Sequence, residues 1–448
     1  MPAPAATPSP RAPETGIMKI GNDIPLTLSQ LKQLGFTLQY RAENAGTPQG
    51  CAALDSGIDV KESIPLVPGK KALAIDPGGT NVKIATAVAT SATEIEYESL
   101  ANYPHTRPAH LEGHSLEFFA KQLFTDLASR YLEGEREKFN GLVIVYSNPA
   151  EIVPILGYAG VTGKVPYGVA ATQKGEWFMD SVKGGEDIGK IFLDAAREAG
   201  FSKLDTLHVG NDTTYLVKVE ANCHGGVVSS TGANNTVTIF GKVCNGETGR
   251  TPAPEICLSK AEKVHIEKSG EIFSLEDLAA KGGMAKLLRA NILGSSETEL
   301  AMKPLVEAAK QTPDIFSLEL MADLSKADFS VDLIKQKPGL SEQSPETIHA
   351  LRDLTLNLFQ RAAQIAGALC YMSVSTQGHG QRNVFLDAGM NGLWPEYVFN
   401  ARSAATVVAK ATNSEISINV LHREPKDGVS LPIMGGARAA LEQASICG

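Results

Sequence analysis

Cysteine is sparse in this chain, and what there is lies scattered. The six cysteines, at 51, 223, 244, 257, 370 and 447, form no C-x-x-C pair and no zinc spacing within 448 residues. That pattern reads as reduced thiols in the cytoplasm and excludes a disulfide scaffold. Positive charge is in deficit too: 41 Lys and Arg stand against 50 Asp and Glu, a formal net charge of −9. No basic run reverses the balance locally, which disfavours nucleic acid or anionic membrane as the main partner. No apolar stretch reaches the ~18 residues that a membrane helix needs. The opening "MPAPAATPSPRAPETGI" has five prolines and no apolar run. It reads as a disordered tail over residues 1–17, not as a signal peptide.

Two familiar phosphate signatures are also missing. No G-x-G-x-x-G occurs, and "GVTGKVP" (160–166) only imitates a phosphate loop. Tyr158 stands where the first glycine belongs, and Val165 where Ser or Thr belongs. The histidines of "HTRPAHLEGH" (105–114) and the Cys223-His224 pair lack further ligands and read as ordinary loop residues.

What is present is an ordinary globular composition, 43% apolar and 20% charged. The chain exceeds the size at which one core keeps growing, so two lobes are expected. Apolar runs predict strands near 71–76, 82–89, 95–100, 141–147, 207–212, 225–243, 383–389 and 415–421. Helical periodicity predicts helices over 24–42 (interrupted near Gly35), 116–132, 185–200, 274–292, 297–311, 317–325 and 346–371, and from about 434. A long Gly-rich loop is expected before 185. Strands and helices alternate, the mark of an α/β fold. The chain also starts two similar programmes, each with a β-turn-β unit rich in Gly, Thr and Asn.

The first of those turns, "DPGGTN", holds Asp76, Gly78, Gly79, Thr80 and Asn81. A Gly-Gly hairpin alone would explain two of them. A phosphate clamp would use them all: glycines admit a ligand close to the backbone, consecutive N–H groups make an anion-binding hollow, and a carboxylate can hold Mg²⁺. Asn211-Asp212 ends an apolar strand. Asp212 suits a helix cap and suits equally a general base that takes a hydroxyl proton beside an orienting amide.

In order along the chain, these segments resemble those of the hexokinase family, within the actin-like sugar kinases. "DPGGTN" resembles the family's D-x-G-G-T-N phosphate segment, with Lys83 where the family has arginine and Pro77 where it has leucine. "VYSNP" places Ser147 at the family's sugar-binding serine, and "TQKGEWF" loosely matches its T-K-G-F loop through Thr172 and Lys174. Asn211-Asp212 matches the family's N-D-T, with the aspartate as base. "STGANN" matches G-T-G-T-N through Thr231, Gly232 and Asn234, with Ser230 replacing a glycine. Glu255 and Glu276 fall near the family's sugar-hydroxyl acceptors, although Glu255 lacks the N-T-E-W-G surroundings. Asp387 and Gly389 resemble the adenosine-side strand and turn, and Gly435 the closing G-S-G-x-G-A-A-L segment; a helix start needing close packing is the other reading of Gly435. The zinc-finger-like signature of the bacterial sugar-kinase branch is absent.

The resemblance implies two actin-like (ribonuclease H-like) lobes with mixed sheets, helices on their faces, and a deep cleft between. The small lobe would span 68–211 and 433–448, the large lobe 18–67 and 212–432. It implies ATP and Mg²⁺ as cofactors and a hexose, glucose first, as substrate, phosphorylated at the 6-hydroxyl. A non-catalytic sugar or nucleotide sensor on the same fold is the alternative.

Overall fold

The computed structural model describes residues 21–59, 64–77, 81–104, 115–131, 133–147, 150–155, 158–165, 184–295, 303–311, 315–413, 415–425 and 428–447. Helix α1 (Leu28–Glu43) opens with a capping box in which Thr27 and Gln30 satisfy each other's backbone N–H groups. It runs unbroken through Gly35, contrary to the interruption expected there. Gly35 is present for packing: a Cβ on it would stand 2.5 Å from Val408 Cγ1. Strand β1 (Leu54–Asp59) follows, unforeseen from sequence.

The first β unit is β2 (Lys71–Pro77), β3 (Asn81–Ala89) and β4 (Ile95–Pro104). Helices α2 (Leu116–Ala128) and α3 (Glu133–Arg136) lead to β5 (Phe139–Val145). Where a plain loop was expected, β6 (Glu151–Pro154) and β7 (Ala159–Lys164) form an antiparallel pair. Then come α4 (Ile188–Glu198) and β8 (Thr206–Gly210). The seven strands order as β4-β3-β2-β5-β8-β7-β6.

The second unit begins after α5 (Asp212–Tyr215) with β9 (Cys223–Ser229), β10 (Ala233–Ile239) and β11 (Lys242–Asn245). A helical block follows: α6 (Lys260–Ser269), α7 (Leu275–Ala279), α8 (Lys281–Gly294), α9 (Lys303–Gln311), α10 (Leu318–Ser325), α11 (Val331–Lys335) and α12 (Pro345–Met372). Strand β12 (Gly380–Asp387), α13 (Tyr397–Thr412), β13 (Ile416–Leu421) and α14 (Leu431–Cys447) complete the chain. Here the sheet orders as β1-β11-β10-β9-β12-β13.

The two sheets therefore repeat one plan. In each, three antiparallel strands form a meander whose first strand pairs in parallel with the strand that follows, β2 with β5 and β9 with β12. The expected double programme is realised, and the fold is α/β with two helix-flanked mixed sheets. The tight turn between the first two strands of each unit lies at the end of its sheet where parallel strands also finish, the place where α/β sheets expose ligand-binding loops.

A fully buried ion pair organises the helical block. Both oxygens of Glu262 on α6 accept from Arg361 on α12, at 2.7 and 2.6 Å, and Asn291 on α8 donates to the same carboxylate at 2.7 Å. Burial alone would push the Glu262 carboxyl up, but the adjacent guanidinium prevails and holds it below its ordinary range. Removing one partner of such a pair strands a buried charge. Glu262→Gln should lower the unfolding free energy by about 3–5 kcal/mol in urea titrations. Replacing both residues by methionine should recover most of the loss; a double variant no better than the single one would show that the pair's charge is not what matters.

Candidate active site

The first turn begins at Asp76, the second-last residue of β2, whose side chain is almost wholly buried. Antiparallel register sets Asp76 opposite Lys83, and the ammonium lies 3.8 Å from Asp76 Oδ2. Gly78, Gly79 and Thr80 lie outside the described residues, as do Thr172 and Lys174 of the expected sugar loop. Asn81 opens β3.

Strands β5 and β8 end side by side, with Val145 paired to Gly210. The Tyr146 N–H donates to Gly210 O at 2.8 Å, bringing half-buried Ser147 to the level of Asn211. The cap reading of Asp212 is answered here, because the cap is Asn211. Its Oδ1 accepts the Thr213 N–H at 2.9 Å, and its amide donates to Tyr146 O at 3.4 Å. Asp212 occupies the first helical position and is half-buried. Its Oδ1 accepts from the Thr213 N–H at 2.8 Å and the Thr213 hydroxyl at 3.2 Å. Its Oδ2 makes no hydrogen bond among the described residues. A carboxylate with one oxygen anchored and the other open is suited to accepting a proton.

The second turn, Ser230–Gly232, closes with a bond from Ser230 N–H to Gly232 O at 2.9 Å. The start of α8 holds it from outside: Lys281 N–H donates to Ser230 O at 2.8 Å and Gly282 N–H to Thr231 O at 3.0 Å. Thr231 itself is exposed. A Cβ on Gly232 would stand 2.3 Å from Glu276 Oε1, and one on Gly389 would stand 2.4 Å from Ser230 Oγ. These close approaches place Glu276 and the residues just past β12 against this turn.

Asn234 lies in a polar network that the sequence reading did not anticipate. Its amide donates to Asn245 Oδ1 at 2.7 Å and to Glu247 Oε1 at 3.3 Å, and Asn245 donates to Glu247 Oε1 at 2.7 Å. Glu247 adopts φ 47, a left-handed backbone, and pairs with Arg250 at 3.2 Å. Glu255 is elsewhere: its side chain is 83% exposed and pairs with Lys263 at 3.2 Å. The carboxylate that stands beside Asn234 is Glu247, not Glu255. The signal was available, since Asn245-Gly246-Glu247-Thr248-Gly249 keeps the Asn, Glu and Gly of N-T-E-W-G at the right spacing.

Gly435 also changes role. A Cβ there would meet Tyr215 O at 1.9 Å, so this glycine lets α14 pack on α5, and the close-packing reading holds.

Electrostatics join the two halves. Asp387, at the end of β12, has its carboxyl pushed up to about 6. Burial is the largest cause and the Asp212 charge adds to it, while Lys83, His422 and Lys281 oppose the rise. Residues from both sheets thus share one field. Asn211 and Asn245 also line a common small cavity with Asp55 and Thr214.

Comparison with known proteins agrees with this architecture. The structure of the hexokinase of Schistosoma mansoni complexed with glucose matches with a TM-score of 0.66 and 14% identity, over 96% of this chain and 98% of that one. A second hexokinase crystal structure matches with a TM-score of 0.67 and 17% identity, over 95% and 97%. No protein-family model and no curated protein matches the chain. At these identities the likeness establishes the fold, and this chain has the two-lobed fold of the hexokinases.

Two buried groups near the cleft give the apo protein opposite pH responses. The Asp387 pKa is raised in the fold, so its ionised form is disfavoured, and stability from this group is gained as pH falls from about 6 towards 3.8. His208, buried on β8, is lowered to about 4 by burial and then by Lys218. Its contribution is lost as pH falls from about 6.5 to 4. Asp387→Asn should therefore stabilise the protein at pH 8 by at most about 3 kcal/mol. The gain should shrink to nothing below pH 4. Melting curves across that range test this, and a gain independent of pH would contradict it.

Proposed function

We propose that this protein is a hexokinase, transferring the γ-phosphoryl group of ATP to the 6-hydroxyl of a hexose, glucose first among the candidates. The observation that carries the reading is Asp212: half-buried at a strand end, one oxygen anchored, the other open, and Asn211 beside it. The hexokinase fold supports it, as does the glucose bound by the Schistosoma mansoni hexokinase.

The residues present fit a magnesium-bound nucleotide. Thr231 is exposed on a turn whose backbone α8 holds from outside, and buried Asp76 faces Lys83 across two strands. MgATP supplies the transferable phosphoryl group and, through the metal, part of the charge neutralisation on which such transfers depend. Asp76 would hold Mg²⁺ through water, and Lys83 with the two Gly-Thr turns would hold phosphate oxygens.

The sugar would lie against Ser147, Asn211, Asn234, Glu247 and Glu276, with Thr172 and Lys174 from the loop. Carboxylates suit polyol recognition because each oxygen accepts a charge-assisted hydrogen bond. Asp212 Oδ2 would take the proton of the 6-hydroxyl, raising the nucleophilicity of that oxygen as it is held in line for transfer. Asn211 caps the short helix, and the Thr213 N–H and hydroxyl hold Asp212 Oδ1, so that Oδ2 would be left to meet the sugar.

Asp212→Asn should lower turnover by roughly 10²–10⁴-fold, the usual worth of a positioned base. ADP release from MgATP across glucose, fructose, mannose, glucosamine and N-acetylglucosamine reads this directly. Sugar binding by calorimetry with no sugar-stimulated ADP release from the wild type would replace the enzyme reading with a sensor.

A second test separates the two glutamates. Glu247→Gln should raise the sugar KM by about tenfold to a hundredfold, the range for a lost hydrogen bond to a charged group. Glu255→Gln should leave it unchanged. The reverse pattern would restore the assignment made from sequence.

A further inference from the structure

Lys281 is the first residue of α8, a 14-residue helix whose N-cap, Ala280, offers no side-chain oxygen to the helix end. The backbone N–H groups of Lys281 and Gly282 are spent on the carbonyls of Ser230 and Thr231. The helix end is thus stapled to the turn, and its dipole is not what remains available for a ligand. What remains is the Lys281 side chain. It is half-buried, and its ammonium makes no hydrogen bond or ion pair among the described residues.

Lys281 differs in this from other cations near it. Its neighbour one turn along, Lys286, pairs with both Glu271 and Asp277. Lys218 pairs with Glu442, and Arg250 with Glu247. Lys281, half-buried beside the second turn, has no such partner among the described residues. Its charge acts on the Asp387 carboxyl, and so does that of Lys83 on the first sheet. Gly389, two residues past Asp387, touches Ser230 itself. Lys83 and Lys281 therefore approach one space from opposite sheets, one at each phosphate turn.

We infer that Lys281 is a second cationic ligand for the polyphosphate of a nucleoside triphosphate, facing Lys83 across the cleft. This rests on the kinase reading given above. A compact ammonium on a flexible stem can follow a phosphate chain as a point charge, where an arginine fork would demand one geometry. Because each lysine belongs to a different lobe, an anion that engages both also draws the lobes together.

The test is binding of MgATP, inorganic tripolyphosphate and adenosine to the full chain without sugar, by calorimetry, with sugar binding measured separately. Lys281→Met should weaken MgATP and tripolyphosphate by about tenfold to a hundredfold. Adenosine and sugar binding should be unchanged. Lys281→Arg should retain most of the affinity, and Lys286→Met, on the same helix but already paired, should bind as wild type does. Wild-type affinity for tripolyphosphate in Lys281→Met would overturn the inference while leaving the kinase reading intact. Equal weakening of adenosine would overturn it too, by showing a structural role for the residue. A wild type that binds neither MgATP nor tripolyphosphate would bring down the kinase reading and this inference with it.

Discussion

The fit of Tyr215 among three glycines decides how the two lobes meet. Its ring lies so close to Gly210 that a Cβ there would stand 2.9 Å from it. Gly436 meets the other side of the ring at 3.2 Å, and Gly435 meets the Tyr215 carbonyl. The hydroxyl donates to His208 O at 3.1 Å, which leaves neutral His208 to donate from Nδ1 back to the hydroxyl at 3.0 Å. Tyr215 follows Asp212 by three residues, on the short stretch that separates the two sheets. First sheet, α14, the 212–218 segment and second sheet stack in that order around one shared apolar cluster. Asp212 stands at the front edge of this stack, so its position is inherited from packing that involves both lobes. Buried Glu442 on α14 adds ionic anchorage, pairing with Lys218 at 2.7 Å and Arg438 at 3.2 Å.

The charges in the cleft follow a different logic from those in the core. Glu262 and Arg361 meet in a bidentate pair, with Asn291 and the Cys257 carbonyl as further partners. In the cleft, Asp212 keeps one oxygen open, Asp387 resists ionisation, and Lys281 has no ion-pair partner among the described residues. Groups left incompletely satisfied at a partly buried site disfavour the apo state. On the function proposed, a polyanion with its metal, together with a polyol, would supply the missing partners from both sides. The same incompleteness that weakens the empty protein would then become binding energy.

Local features were legible in the sequence and tertiary ones were not. Asp76 opposite Lys83 follows from a hairpin register, and Asn211-Asp212 from an apolar strand running into a polar end. The repeated β-turn-β plan could be read because its turns are chemically distinctive. Gly35 misled, because its tolerance in α1 depends on Val408, more than 370 residues away. Strands β6 and β7 read as loop because both are short and largely half-buried or exposed, and β7 holds two glycines. Helix α6 was missed because the residue it buries most deeply is a glutamate. Counting residues past the second turn placed the acidic acceptor at Glu255. Only the β10–β11 hairpin shows that Asn245 returns beside Asn234 and carries Glu247 with it.

This distribution also explains how a fold persists at 14–17% identity to its structural counterparts. Most core positions here are satisfied by any apolar side chain of suitable volume, and such positions drift freely. The intolerant positions are few and of a different kind. They are glycines where a Cβ would enter another segment's backbone, such as Gly249 and Gly435, and polar side chains with one workable geometry, such as Asn211. A family signature built on apolar patterning fades under such drift. One built on close approaches and on hydrogen-bonded strand ends survives, because no substitution within the same geometry replaces it. In this chain those positions gather around the interlobe stack and the two turns, where the chemistry proposed for it would take place.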